Sequence, residues 1–157
     1  MSNMEKKLDV VVRCLTANNE NERELACETL RAMMTGAVPA GDMESEIRRM
    51  LLELGVPDHI KGHRYLVEAI RLAAAEPEIL DSVTKELYPR TAAAFGSTAT
   101  RTERAIRHAI ETAWIRGDLD VMAHYFGNTI SVDRGKPTNS EFIARIANEI
   151  RQRGRAA

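Results

Sequence analysis

Five ionisable side chains lie close together between residues 101 and 108 of this 157-residue chain: Arg101, Glu103, Arg104, Arg107 and His108. Arginine offers two parallel donors that match O6 and N7 of guanine, and glutamate accepts from N4 of cytosine. An acidic residue would be counterproductive in a face that met only phosphates. Glu103, set between arginines, therefore points to base reading by Arg101, Glu103 and Arg104. Arg107 and His108 come one turn later, a position suited to phosphates or the groove edge. The competing reading of the same residues is a solvated helix face of alternating charge.

A second group follows at Gly135-Lys136-Pro137-Thr138-Asn139-Ser140. Lys136 with the small polar side chains Thr138, Asn139 and Ser140 at a helix start would make a phosphate clamp. The bland alternative is a turn and a helix cap. The spacing is not that of a Walker loop.

Side chains can read bases only from a rigid support. From Thr98 to Trp114 the apolar residues Ala105, Ile106, Ala109, Ile110, Ala113 and Trp114 recur at helical spacing, which predicts one buried stripe. Just before it, T-A-A-A-F-G-S (91–97) holds a glycine able to end one helix before the next begins. Helix, glycine turn and a second helix with arginines at its start predict a DNA-binding helix-turn-helix.

The length suits one compact domain with a small appendage. Aromatic residues make up only 4% while alanine, leucine, glutamate and arginine abound, a balance that favours helix. The predicted fold is all-α, a helical bundle containing the helix-turn-helix and preceded by a small helical hairpin. The net charge is −1, which excludes a uniformly basic nucleic-acid coat. Charge is nevertheless uneven: residues 1–46 hold five Lys/Arg against nine Asp/Glu, and the remainder is net basic.

The predicted hairpin occupies 1–40. Its first helix, Met4–Thr16, has Leu8, Val11, Val12 and Leu15 on an apolar face. Its second, Asn21–Met34, would be buried through Leu25, Ala26, Thr29, Leu30 and Met33. Cys14 and Cys27 are expected as buried thiols of a reducing compartment. G-A-V-P-A-G-D (36–42) reads as a linker, and the main domain spans 43–153. Its expected helices are Met43–Leu54, His63–Ala75, Glu78–Phe95, the arginine-bearing helix ending at Gly117, one capped by Asp118 and reaching Phe126, and a last one to Arg153. Ile130–Val132 is a candidate short extended piece. Thr138 or Asn139 would cap the last helix, with Glu141 near its positive end.

Neither a membrane-spanning run nor a signal-peptide pattern occurs, so a cytoplasmic protein without membrane contact is expected. His59 and His63 are four apart, but Gly62 and a turn between them argue against a metal pair. No nucleophile–base motif such as G-x-S-x-G is present. An enzyme, a metal and a cofactor are therefore not expected.

Longer motifs carry a resemblance. V-P-D-H-I-K-G-H-R-Y-L-V-E-A-I, V-T-K-E-L-Y-P, E-R-A-I-R-H-A-I-E-T-A-W, F-G-N-T-I and G-K-P-T-N-S-E-F-I-A resemble the C-terminal DNA-binding domain of the sporulation-initiation master response regulator of endospore-forming bacteria. The resemblance runs from about Glu44 to Arg151. It implies a bundle of six helices that binds double-stranded DNA at a TGTCGAA-like box as dimers. It places Arg101, Glu103 and Arg104 on bases, Arg107 and His108 on the same helix, and Lys136, Thr138, Asn139 and Ser140 on a phosphate-contacting loop. It also implies that the segment from Asp118 to Phe126 meets a second domain and RNA polymerase sigma factor, with Phe126 as the dimer contact.

The family's phosphoacceptor receiver domain is not matched by the residues before Glu44. Their only aspartates are Asp9 and Asp42, and control by phosphorylation in cis is not expected. The resulting reading is a sequence-specific transcriptional regulator whose hairpin serves dimerisation or partner docking. The alternative is a protein-interaction modulator of the full-length regulator or of sigma factor that need not bind DNA itself.

Overall fold

A computed structural model describes residues 3–16, 19–35, 40–127 and 135–156. Among these residues the chain is all-α with no strand. The helices are α1 (Asn3–Thr16), α2 (Glu20–Thr35), α3 (Ala40–Glu53), α4 (Lys61–Ala75), α5 (Tyr88–Ala94), α6 (Ala99–Arg116), α7 (Leu119–Phe126) and α8 (Asn139–Ala156). They divide into two compact units, Met1–Met43 with Gln152–Ala157, and Glu44–Arg151. The expected extended piece at Ile130–Val132 lies outside the described residues. So does most of the expected linker, although α3 already begins at Ala40 rather than Met43.

In the smaller unit α1 and α2 pack together as a hairpin. Asn19 caps α2, its Oδ1 accepting from the Glu22 amide at 2.7 Å. Ala26 is buried and Leu30 half-buried. Leu8, Val12 and Leu15, on the expected apolar face, are 65%, 49% and 74% exposed. One seam between two helices buries only one stripe of each, and the wide apolar face of α1 exceeds it. Cys27 is likewise exposed rather than buried. The side chains of Cys14, Leu25, Thr29 and Met33 lie outside the described residues.

In the larger unit α4 is the central helix, with Tyr65, Leu66, Val67, Ala69, Ile70, Leu72, Ala73 and Ala74 all buried. A helix apolar on so much of its circumference must be covered on several sides, and α5 and α6 pack against it. From α3 come the buried Ile47, Met50 and Leu51, with Leu54 just after it, and from α8 Phe142, Ile143, Ile146, Ala147 and Ile150. Between α4 and α6 the backbones come close. A Cβ on Gly62 would stand only 2.2 Å from the Ala105 carbonyl oxygen.

Residues 78–95 do not form the single helix that periodicity predicts. A 3-10 turn over Pro77–Ser82 and a π turn over Val83–Leu87 precede α5. Pro89 explains the second irregularity: it has no amide to offer the Lys85 carbonyl, so a regular α-helix cannot run through it unbroken. Outside the break, Arg90 clasps the Glu76 carboxylate through two bonds of 2.7 and 2.8 Å.

Candidate nucleic-acid interface

The chain reverses between α5 and α6 through Phe95, Gly96 and Ser97. Gly96 takes φ +59°, a left-handed conformation natural to glycine, and the Ser97 amide then closes onto the Ala92 carbonyl at 2.9 Å. Phe95 anchors the turn. Its ring lies 5.2 Å from that of Tyr65, and the Arg64 guanidinium sits 5.1 Å above it. Thr98 starts α6, its hydroxyl accepting from the Arg101 amide at 3.3 Å. Two helices joined by a tight glycine turn, with the second starting in open solvent, form a helix-turn-helix.

Helical spacing divides α6 into two faces. Thr102, Ile106, Ala109, Ile110 and Ala113 are buried. Arg101, Arg104, Arg107 and His108 are exposed, and Glu103 is half-buried. Arg101, Arg104 and His108 recur three and four apart and form the outermost strip. Among the described residues neither the Arg101 nor the Arg104 guanidinium has a hydrogen-bond or ion-pair partner, so both are open to a ligand.

An adjoining strip of Glu103, Arg107 and Glu111 faces the start of α8. Arg107 pairs with Glu103 one turn back along the helix. Lys136 pairs with Glu111. The Lys136 ammonium, with Arg107 and His108 adding to it, holds the Glu111 carboxyl below the usual carboxylate range. Asn139 donates its Nδ2 to the Tyr88 hydroxyl at 3.1 Å and to the Glu103 carbonyl at 3.3 Å. Burial pushes the Tyr88 phenol up, against the pull of its bond to Asn139. Together these groups line an open cleft of about 500 Å³ beside α6.

The start of α8 is a reciprocal capping box. The Thr138 hydroxyl accepts from the Glu141 amide at 3.2 Å, and the Glu141 carboxylate accepts from the Thr138 amide at 3.0 Å. Ser140 Oγ lies 3.4 Å from the Thr138 hydroxyl. The phosphate clamp expected here is thus largely committed inside the protein. Thr138 is the cap, Asn139 braces α6, and a carboxylate occupies the helix start. Of the four expected phosphate ligands only Lys136 is a cation, and it is already paired.

Phe126, expected at a subunit contact, is 2% exposed. Its ring stacks on Phe142 at 5.3 Å and receives the edge of Trp114 at 6.2 Å. On that segment the exposed apolar side chain is Leu119, at 81%, with Ile115 at 83% shortly before it. The ring of Phe126 therefore serves the core, because helical register turns it inward with Met122 and Tyr125.

Sequence reasoning missed Tyr88 and Glu111. Glu111 was within reach of it, since it stands four residues after Arg107 and three after His108 on the same face. Nothing local marks Tyr88, which joins the site only through the packing of α5 and α8. Residues 47–150, two thirds of the chain, match the family described as sporulation initiation factor Spo0A C terminal.

Proposed function

The chain belongs to the Spo0A C-terminal family, and from that membership we propose that it regulates transcription by reading a TGTCGAA-like box in double-stranded DNA. The family is one of DNA-binding effector domains of a sporulation regulator, not of enzymes. The observation that carries the reading is the pair of unpartnered guanidinium groups, Arg101 and Arg104, on the outer face of a helix-turn-helix. Arginines placed so early on a recognition helix reach base edges in the major groove.

In this reading Arg101 and Arg104 donate to guanines and Glu103 accepts from a cytosine once Arg107 turns to a phosphate. His108 lies at the groove edge. Helices α1 (Asn3–Thr16) and α2 (Glu20–Thr35) lie ahead of the matched region, and in this reading DNA binding needs no phosphorylation within them. Leu8, Val12 and Leu15 favour contact with a second copy of the hairpin, giving a dimer on DNA. Leu119 and Ile115 are the apolar groups that RNA polymerase sigma factor would meet. Among the described residues no helix is long and apolar enough to cross a membrane.

The test is binding of the purified protein to a duplex bearing the box against a scrambled duplex, over a salt series. Preference for the box, with Arg104→Ala costing about 1–3 kcal/mol of it, is the expected result. A steep salt slope with no preference would leave a DNA binder of other specificity. Binding to neither duplex would favour the interaction-modulator reading, in which the exposed face of α1 docks a protein. Sedimentation of the full chain across concentration checks the hairpin, and a monomer throughout removes self-association.

A further inference from the structure

A helix that meets a polyanion gains from uniform positive charge, yet α6 carries two carboxylates beside its basic strip. Glu103 is accounted for, because it can read a base. Glu111 is not. It lies two turns further along, and its side chain reaches off its own helix to the lysine that precedes α8. We propose that Glu111 is a built-in competitor for phosphate. It holds Lys136 in the free protein, and DNA must displace its carboxylate before the lysine can be used.

This rests on the DNA-binding reading above and adds a role that the base contacts do not supply. The pair is partly exposed, at 45% for Lys136 and 38% for Glu111. An ion pair in such a setting is weak and exchanges readily, so the carboxylate acts as a brake rather than a block. The competition matters most for DNA of the wrong sequence, where phosphate contacts supply essentially all of the affinity. A site with good base contacts compensates for the displaced carboxylate, and a random one does not. Glu111 thereby lowers occupancy of non-specific DNA while leaving the base code untouched.

The neighbouring charges fit the assignment. Arg107 stands one turn before Glu111 and is tied to Glu103, so Glu111 is left to Lys136. Asn139 ties the start of α8 to α6 through the Glu103 carbonyl, and Thr138 caps α8 through the Glu141 amide; neither bond involves the Glu111 carboxylate. Replacing Glu111 therefore frees the ammonium without releasing the start of α8.

The experiment compares the wild type, Glu111→Gln, Lys136→Gln and the double variant on the box and scrambled duplexes, over a salt series. Glu111→Gln is expected to tighten binding to the scrambled duplex about 3- to 10-fold at low salt, with a steeper salt dependence. In the Lys136→Gln background the same change should give less than half of that gain. Wild-type binding with no gain from Glu111→Gln overturns the proposal alone. An equal gain with and without Lys136 also overturns it, since it would then be plain repulsion from the DNA. If none of the four proteins binds either duplex, the DNA-binding reading falls and takes this proposal with it. Matching thermal melts of the four proteins show that folding is not what changes.

Discussion

The side-chain amide of Asn139, at the first position of α8, donates to the main-chain carbonyl of Glu103 in the second turn of α6, 3.3 Å away. The same nitrogen reaches the Tyr88 hydroxyl at 3.1 Å. One amide therefore joins three helices at the point where the recognition helix meets its support. This makes Asn139 a positioning residue for α6.

Asn139→Ala is expected to lower stability by about 1–2 kcal/mol, because it removes two partly buried bonds and leaves the Tyr88 hydroxyl without that donor. Tyr88→Phe should cost less, since the Glu103 bond survives it. Urea unfolding of both variants checks the order. A loss larger for Tyr88→Phe than for Asn139→Ala would contradict it.

Gly62→Ala reverses the usual sign of a glycine replacement in a helix. In an open helix alanine is favoured by about 1 kcal/mol. Here its Cβ would stand 2.2 Å from the Ala105 carbonyl oxygen and 2.7 Å from the Ala109 Cβ. Helices α4 and α6 would have to separate, at an expected cost of about 1–3 kcal/mol. A lowered urea midpoint is the predicted reading; a raised one would show that the helices part easily.

Acid should weaken the fold through His63. The residue is 2% exposed, and among the described residues its Nε2 has no hydrogen-bond partner. Burial, and then the positive charge of Arg48, hold its pKa below the ordinary 6.5, with Asp58 opposing. The unfolded chain takes up a proton near 6.5 that the folded chain refuses. Stability is therefore full above that value and falls as pH drops below it, by at most about 1.4 kcal/mol per pH unit. His63→Met should flatten this acid limb. Urea unfolding at about pH 7.5 and about pH 5.5 measures it, and equal pH dependence in the two proteins would refute the assignment.

Much of the fold follows from relations that span only a few residues. The apolar periodicity of 105–114, Gly96 at φ +59° and the Thr98 cap act within one or two turns, and so the helix-turn-helix and its outward arginines were legible in the sequence. The same holds for the Asp118 cap, whose carboxylate accepts from the Asp120 amide at 2.7 Å, and for the start of α8, where of the two expected caps Thr138 is the one that bonds. The π turn at Val83–Leu87 departs from the helical periodicity of 78–95, and its physical cause, the missing amide of Pro89, is local as well.

Other features needed the tertiary structure, because they pair groups far apart in the chain or depend on how much of a face is covered. Lys136 pairs with Glu111 across 25 residues and Asn139 with Tyr88 across 51, choices that no spacing rule encodes. Phe126 turned out to be core because Phe142 and Trp114 surround it. The apolar face of α1 is open because a two-helix seam is too narrow to cover it. Local geometry was enough to place most of the helices and the side of α6 that carries the arginines, though not the irregular turns between Pro77 and Leu87. Only packing decided which polar groups remain available to DNA, since an ion pair or brace forms wherever the fold brings two side chains together.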